Sequence, residues 1–235
     1  MRALNYLVAA IGVCALAGCA SPRAVPDAPR SGFSTAQLAK TDIDRVAEAH
    51  QRDVFTSLRL LAEKLYRRNP RELKKSNRTH EAAMERLFEP WHGWRFAELE
   101  ARRGTQAIAL AFDESYRGDR VLALIGGLGG MIQVAFQNRT EFFVLDELDP
   151  QSLYNAARNV EIAVWKLSTA RTVQGELFLL SNEAAGPVAN LSFEREFGKM
   201  IGSLDLLSRI VADRTDRMVV KVVQSIATAV FLPIK

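Results

Sequence analysis

The chain has 235 residues, 48% of them hydrophobic and 25% charged, with 31 Lys and Arg against 27 Asp and Glu for a formal charge of +4. That mixture can bury one substantial core and excludes a disordered or collagen-like chain. Two cysteines exclude a disulfide framework, and so small a positive excess is a poor footprint for a dedicated nucleic-acid binder, so no nucleic-acid partner is expected.

The chain opens with Arg2, then a nearly uninterrupted apolar run from Leu4 to Leu16, then the small residues Ala17 and Gly18 directly before Cys19. This is the layout of a secretory signal over residues 1–18, too short to span a bilayer as a stable helix. The tetrapeptide Leu16-Ala17-Gly18-Cys19 resembles the lipobox of bacterial lipoproteins. The resemblance implies that Leu16, Ala17 and Gly18 are read by the processing peptidase. It also implies that Cys19 becomes the first mature residue and carries a diacylglyceryl thioether and an amide-linked acyl chain. Apart from these covalent lipids no cofactor is expected. With each buried CH₂ worth about 0.8 kcal/mol, several chains on one residue hold a protein firmly on a membrane. In relatives with this signal an Asp after the cysteine favours the inner membrane. Ala20 stands there instead, which implies the outer membrane with the domain facing the periplasm. Cys14 would leave with the signal and Cys19 would be alkylated, so cysteine catalysis and thiolate metal sites are excluded.

Residues 19–33 form the lipidated N-terminus and a tether, with Pro22, Pro26 and Pro29 favouring an extended chain of about 3.1 Å per residue. Residues 34–235 read as one globular domain of helical period. Asp42 is the expected cap of a first helix whose stripe runs Ala47, His50, Val54, Leu58, Leu61 and Leu65 and ends near Arg68. Asn69-Pro70 starts a short helix over Arg71 to Lys75, and Thr79 caps another carrying Ala82, Ala83, Leu87 and Phe88. Trp94 to Arg103 reads as a turn or two. Ala107 to Phe112 and Val121 to Phe136 carry most of the apolar mass. Asp149-Pro150 opens a helix with the stripe Leu153, Ala157, Val160, Val164 and Leu167, and Asn190 or Ser192 opens one with Phe193, Phe197, Met200, Leu204, Leu207 and Val211. Asp216 is expected to cap a last helix from Arg217 to Phe231, with Pro233 as its stop. Short strands are expected at most at Phe142 to Leu145 and Glu176 to Leu180. The fold class is therefore all-α, a single bundle-like domain of about seven helices with one or two short strands.

Catalytic and metal templates fail one by one. Gly126-Gly127-Leu128-Gly129-Gly130 lacks the third glycine of a dinucleotide loop, because Ile132 stands there. On a helix, Gly126 and Gly130 instead open one face to close packing. His80-Glu81-Ala82-Ala83-Met84 has Met84 where a zinc protease needs its second histidine, and in Glu89-Pro90-Trp91-His92 the proline breaks the helix that a di-iron pair needs. No metal site is expected. No serine lies in a nucleophile elbow. Asp146, Glu147 and Asp149 read as a helix cap with a solvated loop, and Asp113-Glu114 carries no pattern.

The one dense charge cluster is Arg67, Arg68, Arg71, Lys74, Lys75 and Arg78, a solvated face or a surface for an anionic partner. The sequence thus points to a non-enzymatic outer-membrane lipoprotein. Its anchor holds the membrane, and its helical domain presents a partner-binding or scaffold surface to an envelope protein or anionic envelope surface in the periplasm. The alternative is a periplasmic binding protein for an apolar small molecule or lipid, held between the Gly126–Gly130 helix and the helix over Val219–Phe231.

Overall fold

The computed structural model describes residues 40–89, 92–143, 147–183, 190–221 and 229–234. Leu16, Ala17, Gly18, Cys19, the tether and Asp146 lie outside them. Among the described residues there are seven α-helices and no strand. They are α1 (Asp42–Arg68), α2 (Pro70–Ser76), α3 (His80–Phe88), α4 (Thr105–Leu110), α5 (Arg120–Ala135), α6 (Pro150–Thr169) and α7 (Ser192–Thr215), with a short 3₁₀ turn at Ala97–Leu99. The fold is all-α.

The helix ends follow local chemistry. The cap of α1 is Thr41 rather than Asp42: the Asp44 N–H donates to Thr41 Oγ1 at 3.3 Å, and the Thr41 N–H donates back to Asp44 Oδ2 at 2.7 Å. This reciprocal box satisfies two orphan donors, which Asp42, one position inside the helix, cannot do. Thr79 caps α3, accepting from the Ala82 N–H, and Asp149 caps α6 ahead of Pro150, accepting from Gln151 and Ser152. Asp119 caps α5, its Oδ1 accepting from the Val121 and Leu122 N–H groups at 2.9 and 3.0 Å and its Oδ2 from the Tyr66 hydroxyl at 2.9 Å. Burial pushes the Asp119 carboxyl up to about 6. The same desolvation, reinforced by Asp119, pushes the Tyr66 hydroxyl up. Beside it Glu72, wholly buried, accepts the Arg120 N–H at 2.9 Å and holds Lys75 at 2.8 Å.

Helix α5 is the centre of the domain. It is apolar on every side, and nearly all of it from Arg120 to Ala135 is buried, so it sits inside the bundle. At about 1.5 Å per residue it is also short for a membrane span, and no described helix is long and apolar enough to cross one. Around it, α7 packs on α1 and α6, α4 packs on α5, and α1 also meets α3 and α5. The expected stripes are the inward ones: Val54, Leu58, Leu61 and Leu65 of α1, Leu153, Ala157 and Val160 of α6, and all six named positions of α7 are buried. Each such Val, Leu, Phe or Met side chain is worth about 1.5–3 kcal/mol on burial.

Among the described residues no strand forms at either expected place. The Phe142 N–H donates to Glu48 Oε1 at 3.0 Å while its ring packs against Phe136 in the core; Val144 and Leu145 lie outside the described residues. Over Glu176 to Leu180, side chains from the α1–α2 corner take the backbone that a strand would have paired. The Leu180 N–H donates to Asn69 Oδ1 at 2.7 Å, Asn69 Nδ2 donates to Leu180 O at 2.9 Å, and Arg71 donates to Phe178 O at 2.7 Å. Among the described residues only single bridges, Arg171 with Leu177 and Glu183 with Asn190, remain.

The expected last helix is corrected at its two described ends. Asp216 is not an N-cap but the left-handed C-cap of α7, with φ 49°. Arg217–Lys221 and residues 229–234 are not helical, and 222–228 lie outside the described residues. Val219 and Val220 are β-branched and favour extended backbone, and the Val220 main chain is held by Gln151 of α6 instead of by a helical turn.

Candidate functional site

The glycines of α5 shape the most distinctive surface. A methyl on Gly127 would come within 2.6 Å of the Ile108 N and 2.8 Å of the Gly104 carbonyl, so α4 rests backbone against backbone on this helix. Gly126 faces Phe96 and Leu99, Gly129 lies under the Trp94 indole, and Gly130 faces the Trp94 Cβ and the Gly104 N. All four glycines therefore seat the loop from His92 to Gly104 and the start of α4, with the tightest contacts at Gly127 and Gly129.

That loop is held in an unusual backbone. Gly93, Trp94, Glu100, Ala101 and Gly104 all have φ between 52° and 61°. For Trp94, at φ 60°, the left-handed region costs roughly 1–2 kcal/mol. The surroundings fix it there. The indole stacks on Phe55 with ring centroids 5.6 Å apart and meets Phe88 edge-on at 5.7 Å. The Trp94 N–H donates to His92 Nδ1 at 2.7 Å, so the His92 proton is on Nε2, which donates to Leu87 O at 3.0 Å. Burial holds His92 below the usual histidine range, in keeping with this neutral form. Both its nitrogens are committed, Nδ1 to the Trp94 main chain and Nε2 to the end of α3, so it positions Trp94 and is not poised for proton transfer.

The loop and α5 enclose a groove of about 770 Å³. Its inner wall is apolar, from Trp94, Gly130, Met131, Val134 and Ile234, and its rim is polar, from Arg95, Arg103, Thr105, Gln106 and Asn138. An adjoining recess of about 420 Å³ shares Arg95 and Arg103 and adds Arg102, which pairs with Glu100 at 3.7 Å. Arg95 and Arg103 are exposed and make no ion pair among the described residues. Two free guanidinium groups beside an indole can bind a carboxylate or phosphate bidentately while the apolar wall takes an aliphatic or aromatic stem.

The expected basic cluster is differently occupied. Arg67 pairs with Glu63 at 2.5 Å, Arg68 with Glu183 at 2.7 Å, and Arg78 with Glu98 at 3.4 Å. Arg71 and Lys75 flank the buried Glu72, and Arg71 also bonds the Phe178 carbonyl. Lys74 is exposed and has no ion pair among the described residues. Of these, Arg68 and Arg71 join α1 and α2 to the segment after α6.

The acidic and nucleophilic candidates are scattered. Asp113 accepts from the Ser115 N–H and hydroxyl, Glu114 from the Val173 N–H, and Glu147 pairs with Arg217 at 2.8 Å beside a separate recess of about 190 Å³. None of them faces a histidine across a shared recess. His50 Nδ1 lies 2.6 Å from Ser203 Oγ, a pairing between α1 and α7 that has no sequence signature. Both residues are mid-helix, where backbone N–H groups are spent on the helix and cannot form an oxyanion hole. Among the described residues no three His, Cys, Asp or Glu gather in metal-binding geometry. No protein-family model matches the chain, nor does any curated protein or solved structure.

Proposed function

We propose that the chain is a lipid-anchored envelope protein whose helical domain is a non-enzymatic binding module, and that its site is the groove beside Trp94. The anchor reading rests on Leu16-Ala17-Gly18-Cys19 and on Ala20, which together favour the outer membrane and a domain in the periplasm. The groove reading is carried by one observation: a strained, over-determined Trp94 stands between an apolar wall and two unpaired arginines. Backbone strain persists where the surroundings enforce it, and such positions cluster at binding sites. An open groove of mixed character suits a segment of a partner protein, and the arginine rim selects an acidic one.

A photo-crosslinking residue in place of Gln106, on the exposed rim, tests this in intact cells. A discrete protein adduct is expected, weakened about tenfold or more by Arg95→Glu with Arg103→Glu. An adduct insensitive to the double charge reversal, or none, overturns the groove reading. For the anchor, Cys19→Ala should release the protein from membranes or leave its precursor uncleaved, and palmitate labelling that survives the substitution overturns it. A second reading, a binding protein for an apolar small molecule or lipid, is favoured by the Met131, Val134 and Ile234 wall. It predicts a co-purified ligand in native mass spectrometry and no protein adduct.

A further inference from the structure

Arg95 and Arg103 line both the groove beside Trp94 and the smaller recess next to it, so these two side chains stand where the hollows meet. The backbone between them is what brings them together. The 3₁₀ turn at Ala97–Leu99 is followed by two consecutive left-handed residues, Glu100 at φ 52° and Ala101 at φ 61°, which reverse the chain. The Glu100 N–H donates to Ala97 O at 3.2 Å and the Arg102 N–H to Leu99 O at 2.8 Å, while Phe96 and Leu99 are buried facing Gly126 of α5. The smaller recess is therefore held in shape by the fold itself.

The two hollows differ in size and lining. The larger, about 770 Å³, has Trp94, Met131, Val134 and Ile234 for its apolar wall, and the smaller, about 420 Å³, has Phe96, Ala97 and Ala101. Arg102 is answered by Glu100, whereas Arg95 and Arg103 make no ion pair among the described residues. An unanswered cationic edge thus lies between two apolar hollows. A ligand that ends in its anionic group fills one hollow and leaves the other to water. A ligand that carries the anion mid-chain, with an apolar group on either side, buries apolar surface in both. In an extended segment, side chains alternate between faces at about 3.3 Å per residue. Residues two before and two after the acidic one therefore point the same way as it does.

Resting on the reading of the groove as a dock for an acidic partner segment, we infer what that segment is: an extended stretch with one Asp or Glu and an apolar side chain two residues to either side. The carboxylate bridges Arg95 and Arg103. One apolar side chain lies against Trp94 and Met131, and the other enters the recess at Ala97 and Ala101. Charge alone would accept any acidic run, so the second hollow is what narrows the choice.

Capped peptides titrated calorimetrically into the full-length chain test this. The two-sided probe is acetyl-Gly-Leu-Ser-Glu-Ser-Leu-Gly-amide, and its controls carry Ser in place of one Leu or the other, or Gln in place of Glu. The two-sided probe should bind about tenfold more tightly than any of these controls. Ala97→Phe, at an exposed position, fills the smaller recess. It should abolish the advantage of the two-sided probe and leave the one-sided affinities as they were. Equal affinity of one-sided and two-sided peptides, or an advantage that survives Ala97→Phe, overturns the inference and leaves the groove reading standing. A Gln peptide that binds as well as the Glu peptide, or no binding by any of them, overturns both.

Discussion

Helices α5 and α7 carry glycines at the same spacing and use them in opposite ways. In α5, Gly126 and Gly130 are buried, and with Gly127 and Gly129 they admit an indole, a phenyl ring and the backbone of α4. In α7, Gly198 and Gly202 are equally four apart, yet both are exposed and a methyl on either would meet nothing within 4 Å. The spacing is identical, so it is not what decides. What differs is the rest of each helix: α5 is apolar all round, whereas α7 sets Glu194, Arg195, Lys199 and Asp205 around its glycines. Small residues on a helix mark where a neighbour could come close, and the burial of the surrounding turns decides whether one does.

The sharpest way to break this comparison is at Gly127. Two of its three nearest neighbours are backbone atoms of Gly104 and Ile108, which cannot turn aside as a side chain can. Gly127→Ala should cost about 3 kcal/mol, read as a lowered urea midpoint at unchanged slope. At Gly126 the nearest atom belongs to the Phe96 ring, 2.9 Å away, and a ring can shift, so Gly126→Ala should cost about 1 kcal/mol. Equal costs at the two positions would show that backbone contact with α4 is not what makes the site tight.

The same contrast explains what was legible in the sequence. Helix positions and inward faces were, because caps such as Thr79 and Asp149 act within three residues and the α7 stripe from Phe193 to Val211 repeats with the helical period. The backbone at Glu176 to Leu180 and at the two ends of the expected last helix was not. That backbone is claimed by side chains far away in sequence, Asn69 for Leu180, Gln151 for Val220 and Asn159 for Leu232, and no local pattern announces a carboxamide that replaces a strand. The groove was half legible. Its floor lay in the glycine run, but Arg95 and Arg103 follow no period and reach the rim only because the loop turns left-handed at Gly93 and Trp94. Conversely, the basic run from Arg67 to Arg78 stood out by density, and two of the four acids that answer it, Glu98 and Glu183, come later in the chain.

The two helices also differ at their starts. No side chain of the N-cap residue Leu191 bonds the first turn of α7, whereas α5 begins on a buried carboxylate. Asp119 titrates near 6 in the folded chain against 3.8 for the free group, so the folded state holds the proton more tightly. Its contribution to stability is therefore fully present below about pH 4 and is lost as pH rises through 6, by roughly 2–3 kcal/mol. Asp119→Asn keeps an oxygen for the Val121 and Leu122 N–H groups and removes the titration. Subtracting its denaturation free energies from those of the unmodified chain, pH by pH, should give a difference that falls across pH 4 to 6. A difference that rises instead would mean that the helix-end bonds outweigh burial and hold the carboxyl below its free value.

The smallest effect lies at the open pair. A helical glycine costs roughly 0.5–1 kcal/mol relative to alanine, through the backbone entropy it loses on folding. In α5 that cost is accepted because nothing larger fits. In α7 no contact justifies it, so Gly198→Ala and Gly202→Ala should each raise stability by about that amount, and the two should add if the positions are independent. Thermal unfolding of both single variants and the double variant measures this. A loss of stability at either position would mean that the face of α7 they share is covered in solution, and the two glycine pairs would then be alike after all.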